Sequence, residues 1–117
     1  MFRTVLIPVD FSDDNALMLA FAKGLPSLGV RRVVLAHVVE ASGMEGPVIA
    51  RKVDEAREAI HGYADELAAC GLGVEVRVAT GDPVEELAAL ATEDQVDGAV
   101  DGSHAKSIVT QLFAAAL

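Results

Sequence analysis

At 117 residues the chain is long enough for one domain with its own core and has little room for a second. Acidic residues outnumber basic ones 18 to 9, a net charge of -9, so no basic stripe is available to replace counterions, which argues against nucleic acid or an anionic membrane surface as partner. With 52% hydrophobic but only 4% aromatic residues the core is expected to be aliphatic, and the single cysteine, Cys70, permits neither an internal disulfide nor a cysteine-based metal site.

Met1-Phe2-Arg3-Thr4 leads directly into a strand. There is no signal-peptide pattern and no apolar run long enough to span a bilayer, so a cytoplasmic protein is expected. Val5-Leu6-Ile7-Pro8-Val9 is a continuous apolar run ended by Asp10, as suits a strand covered on both faces. Ser12 is placed to cap the next helix, with Asp13 and Asp14 in its first turn where the helix dipole favours negative charge. Leu17, Ala20, Phe21, Leu25 and Leu28 mark one helical face, which Pro26 ends or kinks near Leu25.

A second buried strand runs from Arg32 to Val39, followed by the one long loop, Glu40 to Pro47. From Val48 a long amphipathic helix is expected. Val53, Ala56, Ile60, Ala64, Leu67 and Ala68 line its apolar face, Lys52, Glu55, Glu58, Asp65 and Glu66 lie mostly opposite, and Gly71 and Gly73 close it. Cys70, at that helix end, reads as a small buried hydrophobe.

Val74-Glu75-Val76-Arg77-Val78 alternates strictly, which predicts a half-exposed strand near a sheet edge. Asp82 then reads as a helix cap, Pro83 as the first helical residue and Glu85 as the third member of a capping box. Val84, Leu87, Ala88 and Ala91 form the buried face of that helix. Gly98-Ala99-Val100 is a short fourth strand, and Ile108, Val109, Leu112, Phe113 and Ala116 make the apolar face of a final helix.

The order β-α-β-α-β-α-β-α with tight connections predicts an α/β fold: a doubly wound parallel sheet with right-handed crossovers. Ligands of such sheets bind beyond the carboxyl ends of the strands. Here that rim carries Asp10, Ser12, Val39, Gly81 and the turn from Gly102 to Lys106.

Over essentially its whole length the chain resembles the universal stress protein family. The resemblance rests on Val5-Leu6-Ile7-Pro8-Val9-Asp10-Phe11-Ser12, on Ala36-His37-Val38-Val39, on Gly81-Asp82-Pro83 and on Gly102-Ser103-His104 in this order. It implies a sheet of order 3-2-1-4-5 with flavodoxin-like layering, a homodimer and, in one branch, an ATP site. In that branch the acid after strand one, here Asp10, holds the ribose and adenine side with Pro8 and Val9 beside it, and Ser12 lies on the same rim. Val38 packs near the adenine. The phosphates lie on a loop of pattern G-x-x-G-x9-G-[ST], whose first glycine is matched by Gly102.

The other motif positions fall on Ala105, Ala115 and Ala116. A methyl at Ala105 restricts the backbone and obstructs close phosphate approach, and Ala116 has no hydroxyl for a phosphate oxygen. Ser103, the amides around His104, and Lys106 remain as weaker anion donors. The expectation is therefore a stress-response regulatory module with at most weakened ATP binding, possible protein clients, and a lean toward the family branch that lacks the ATP motif. An ATP-binding member with slow or no hydrolysis is the alternative. The chain reaches Leu117 before a fifth strand, which predicts a sheet of order 3-2-1-4. Its edge at Gly98-Ala99-Val100 and the face of Ile108, Leu112 and Phe113 are then expected to be covered by another copy.

The three histidines do not make a metal site. His37 reads as a hydrogen-bonded core residue, His61 as surface, and His104 as a loop residue at the rim. A phosphoacceptor domain would need paired acids after strand one and an acceptor Asp after strand three. Asp10 is followed by Phe11, and strand three ends in Ala79-Thr80-Gly81. No nucleophile–base pair or oxyanion device is evident, so no dedicated catalysis is expected.

Overall fold

Val5, Leu6 and Ile7 are all buried, as an interior strand of a doubly covered sheet requires. The structure, a computed structural model, describes residues 3–9, 11 and 15–99, apart from the side chain of Leu17. Expectations resting on Asp10, Ser12, Asp13, Asp14, the Leu17 side chain and residues 100–117, including the turn from Gly102 to Lys106 and the final helix, lie outside the described residues.

The elements are β1 (Thr4–Pro8), α1 (Asn15–Lys23), a one-turn 3-10 helix (Leu25–Leu28), β2 (Arg32–Val39), α2 (Gly46–Ala68), β3 (Gly73–Thr80), α3 (Pro83–Glu93) and β4 (Gly98–Ala99). All strand pairs are parallel, in the order β3-β2-β1-β4. The doubly wound sheet expected from the alternation of elements is present. Among the described residues no helix is long and apolar enough to cross a membrane.

Strand alternation divides the core into two layers. On one side Val5, Ile7, Val33 and Leu35 pack with Leu19 and Leu25 and with Ile60, Ala64 and Leu67 of α2. On the other, Leu6, Val34 and Ala36 meet Leu87 and Leu90 of α3. Ile60, Leu67 and Leu35 are fully buried, each stabilising the fold by about 1.5–3 kcal/mol through removal from water.

The apolar face assigned to the first helix is corrected. Leu19, Ala22 and Leu25 are buried with Met18 half-buried beside them, whereas Ala20 is exposed and Phe21 and Leu28 are 53% and 68% exposed. The segment Ala16-Leu17-Met18-Leu19-Ala20-Phe21-Ala22 is apolar on every side, so periodicity offers no contrast there. The α-helix also ends at Lys23. In the 3-10 turn that follows, with Pro26 in its first turn, residues advance by about 120° rather than 100°, which carries Leu28 out to solvent. Lys23 reaches Glu66 at 3.3 Å and Asn15 donates to the Tyr63 hydroxyl at 3.1 Å, tying α1 to α2.

Smaller corrections follow the same physics. α2 begins two residues early, with Gly46 and Pro47 in its first turn, where a missing N–H costs nothing. Ala68 is exposed and Val53 half-buried, while Gly73 opens β3 instead of closing the helix. Cys70 is exposed rather than buried, its thiol on the Glu66 carbonyl at 3.6 Å, because it lies in the turn after α2 ends at Ala68. Asp82 occupies the cap position of α3 but makes no side-chain cap bond, and Leu90 joins Leu87 as the buried residue of that helix.

Two polar clamps fasten the end of the sheet opposite the rim. Asp97 accepts hydrogen bonds from the amides of Arg3 and Thr4, both at 2.8 Å, and donates its own amide to the Thr4 carbonyl. Those two amides hold its carboxyl below the usual range. Asp94, at the end of α3, takes a forked pair of bonds from Arg77 at 2.8 and 3.2 Å, and its carbonyl accepts from Arg32. The carboxylate raises the Arg77 pKa further, chiefly through the hydrogen bond.

Candidate functional site

The carboxyl end of β1 and β2 separates in an ordered way. Val9 continues the ladder one step beyond β1, its amide donating to the Ala36 carbonyl at 2.7 Å. The next rung would run from the Val38 amide to the Val9 carbonyl. Instead the His37 Nδ1–H donates to that carbonyl at 2.7 Å, which leaves the Val38 amide without a ladder partner among the described residues. Because a carbonyl can only accept, Nδ1 carries the proton in this bond. Phe11 packs on the imidazole with ring centroids 4.7 Å apart and planes tilted by 56°.

Against this corner lies an open cleft of about 500 Å³. Its floor is Phe11, His37, Val38 and Val39, with Glu40 and Met44 at the loop side. Lys52, Glu55, Ala56 and Ala59 of α2 form the wall. The four wall residues recur at i, i+3, i+4 and i+7, one stripe of a helix. Two of them are alanines, and that shortage of side-chain volume is what leaves the space open. Among the described residues Lys52 has no carboxylate within ion-pair distance, so a cation stands free in an otherwise acidic mouth.

Of the site residues picked from the sequence, Pro8, Val9 and Val38 are described. Val38 borders the cleft, but its side chain packs in the α3 layer with Leu87 and Leu90. Pro8 is half-buried, and the Val9 side chain is core, its carbonyl engaged by His37. Asp10, Ser12, Gly102, Ser103, His104, Ala105 and Lys106 lie outside the described residues. His37 is the hydrogen-bonded histidine that was expected, and it also faces the cleft. Phe11, Met44, Lys52, Glu55 and Ala59 went unread as site residues. Lys52 and Glu55 are exposed, as expected of the solvated face of the helix, and also flank the cleft. The available signal was the pair Ala56 and Ala59, small residues where a fully packed helix would carry larger ones.

No three His, Cys, Asp or Glu side chains among the described residues gather to hold a metal. Chemically the corner offers an aromatic surface, a main-chain donor and a lysine.

The sequence model of the universal stress protein family matches residues 1–115 of the chain. The chain belongs to this family.

The universal stress protein MJ0577 of Methanocaldococcus jannaschii is 24% identical over 135 aligned positions, covering 97% of this chain and 83% of that protein. A solved structure of MJ0577 superposes with a TM-score of 0.80 at 25% identity, covering 97% and 90% of the two chains. A universal stress family protein from Burkholderia pseudomallei shares the fold at TM-score 0.74 and 22% identity over 97% and 89%. So does the universal stress protein of Archaeoglobus fulgidus, solved in complex with dAMP, at TM-score 0.67 and 21% identity over 96% and 90%. The 3-2-1-4 sheet with helices on both faces is thus the family's arrangement.

Proposed function

We propose that this universal stress family member is a regulatory binding module of the cytoplasm that acts as a homodimer, takes an adenine nucleotide weakly at the β1–β2 rim, and has no dedicated catalysis. The observation that carries the nucleotide reading is the parted rung. The His37 imidazole occupies the Val9 carbonyl and releases the Val38 amide, a main-chain donor suited to a ring nitrogen of a purine. Phe11, packed on His37, supplies an aromatic surface beside it.

In this reading Asp10, adjoining Val9, takes the ribose hydroxyls, with Pro8 and Ser12 alongside it. Gly102, Ser103, the His104 and Ala105 amides and Lys106 face the phosphates. The dAMP complex of the Archaeoglobus fulgidus relative supports an adenylate as the ligand class. Weakness follows from Ala105, Ala115 and Ala116 in place of the glycines and hydroxyl of the phosphate loop, and from the net charge of -9, which opposes a polyphosphate. The alternative, tight ATP binding, is separated by calorimetry with and without magnesium, beside an Asp10→Ala variant. The expected dissociation constant is weaker than about 0.1 mM, a binding free energy smaller than about 5.5 kcal/mol, and the heat disappears in the variant. Micromolar ATP binding would overturn the weakening. No heat at millimolar ATP would remove the nucleotide and leave the protein-interaction role.

A further inference from the structure

β3 is an edge of the described sheet, and no described strand pairs with its outer side. Its Gly73 amide donates to the Arg31 carbonyl at 2.9 Å, and the Gly81 amide that follows it donates to Val39 at 3.0 Å. Odd-numbered residues of this segment therefore turn their backbone toward β2. The N–H and C=O groups of Val74, Val76, Val78 and Thr80 point away from the sheet. The eight-residue strand carries no proline, and the charged side chains on it, Glu75 and Arg77, are of opposite sign, so they oppose only those pairings that set like charges together. Its side chains alternate as well. Val74, Val76 and Val78 pack partly buried in the α2 layer, while Glu75 and Arg77 are 41% and 44% exposed in an ion-paired row with Arg32 and Asp94.

We propose that β3 pairs antiparallel with β3 of a second copy of this chain about a two-fold axis through Val76. Charge selects the register. Centring the axis on Glu75 or on Arg77 sets like charges against each other, and a one-residue slip sets inward-turned backbone against outward-turned backbone. Centring it on Val76 places Glu75 opposite Arg77 of the second copy and Arg77 opposite its Glu75. Both pairs fall at non-hydrogen-bonded positions, where side chains approach most closely. Val76 meets its own counterpart and Val74 meets Val78, each exchanging backbone hydrogen bonds, and the apolar layer under α2 continues from one copy into the next.

This inference rests on the self-association in the proposed function and names its surface, which is the β3 edge and not the β4 edge anticipated from the sequence. Sedimentation velocity across a concentration series is the first measurement. Glu75→Arg and Arg77→Glu each create two like-charge contacts and should each weaken the dimer about tenfold or more. An equimolar mixture of the two variants should restore association as a heterodimer, which lost packing or stability alone would not produce. In the unmodified protein, amide hydrogen exchange of Val74, Val76 and Val78 should slow as the dimer forms, while the Glu75 and Arg77 amides are protected throughout.

A chain monomeric at every concentration overturns both this surface and the dimer in the proposed function. A dimer that both variants leave intact, or in which those three valine amides exchange at the monomer rate, overturns the β3 surface alone. If either variant fails to fold, the exchange pattern of the unmodified protein decides.

Discussion

The bond from His37 to the Val9 carbonyl can be removed while keeping the ring. His37→Phe retains an aromatic partner for Phe11 at a centroid separation near the present 4.7 Å, but it deletes the 2.7 Å donor. Val9 is 3% exposed and its carbonyl has no other partner among the described residues. An orphaned buried carbonyl costs about 1–3 kcal/mol, and a net hydrogen bond contributes about 0.5–1.5. His37 is half-buried beside an open cleft, so water reaches the carbonyl in the variant and the lower part of that range applies, about 1–1.5 kcal/mol. Urea unfolding followed by circular dichroism should show the midpoint falling by roughly 0.5–1 M with an unchanged slope. Phe11→Ala and the double variant complete a cycle. The ring contact contributes about 0.5–1.5 kcal/mol and should survive in the His37→Phe background. A loss under about 0.3 kcal/mol for His37→Phe would refute the reasoning, since it would mean that the Val38 amide reclaims the carbonyl at no cost. Nucleotide affinity gives a second readout, because reclaiming that carbonyl removes the main-chain donor that the proposed nucleotide site uses.

Two further outcomes follow from the geometry. Because the folded carboxyl of Asp97 lies below its ordinary value of 3.8, its contribution is fully present above that value and is lost as the pH falls through the folded value. Asp97→Asn should therefore flatten the acid limb of stability against pH, and an unchanged limb would assign the acid sensitivity elsewhere. Gly81→Ala should destabilise by about 1–3 kcal/mol, since φ is +135° there and an added Cβ would sit 3.0 Å from the Glu86 carboxylate. Adding Glu86→Ala should relieve the crowding but not the dihedral strain, so a full rescue in thermal melts would contradict the strain argument.

The order of elements and the parallel sheet were legible because continuous aliphatic runs such as Val33-Val34-Leu35-Ala36 suit only strands covered on both faces. The alternation of Val74 to Val78 likewise marked an edge. The face of α1 was not legible, because a helix apolar all round is oriented by its connections and by Pro26 rather than by its own pattern. At the site, His37 could be read as a bonded core residue from its apolar strand. That its ring displaces a ladder rung could not, since this depends on how β1 and β2 part after Ala36. The cleft escaped notice for a related reason: Ala56 and Ala59 look like ordinary helix residues until the space they leave is seen.

The clamp between Asp97 and the amides of Arg3 and Thr4 joins groups 94 and 93 positions apart in the chain. β1 lies between β2 and β4, so its second side is closed only when the last described strand arrives. During synthesis at 5–20 residues per second, that interval is about 5–20 s after β1 is made. For that interval the strand carrying Val5, Leu6 and Ile7 has one open side, an unpaired apolar edge of the kind that invites association.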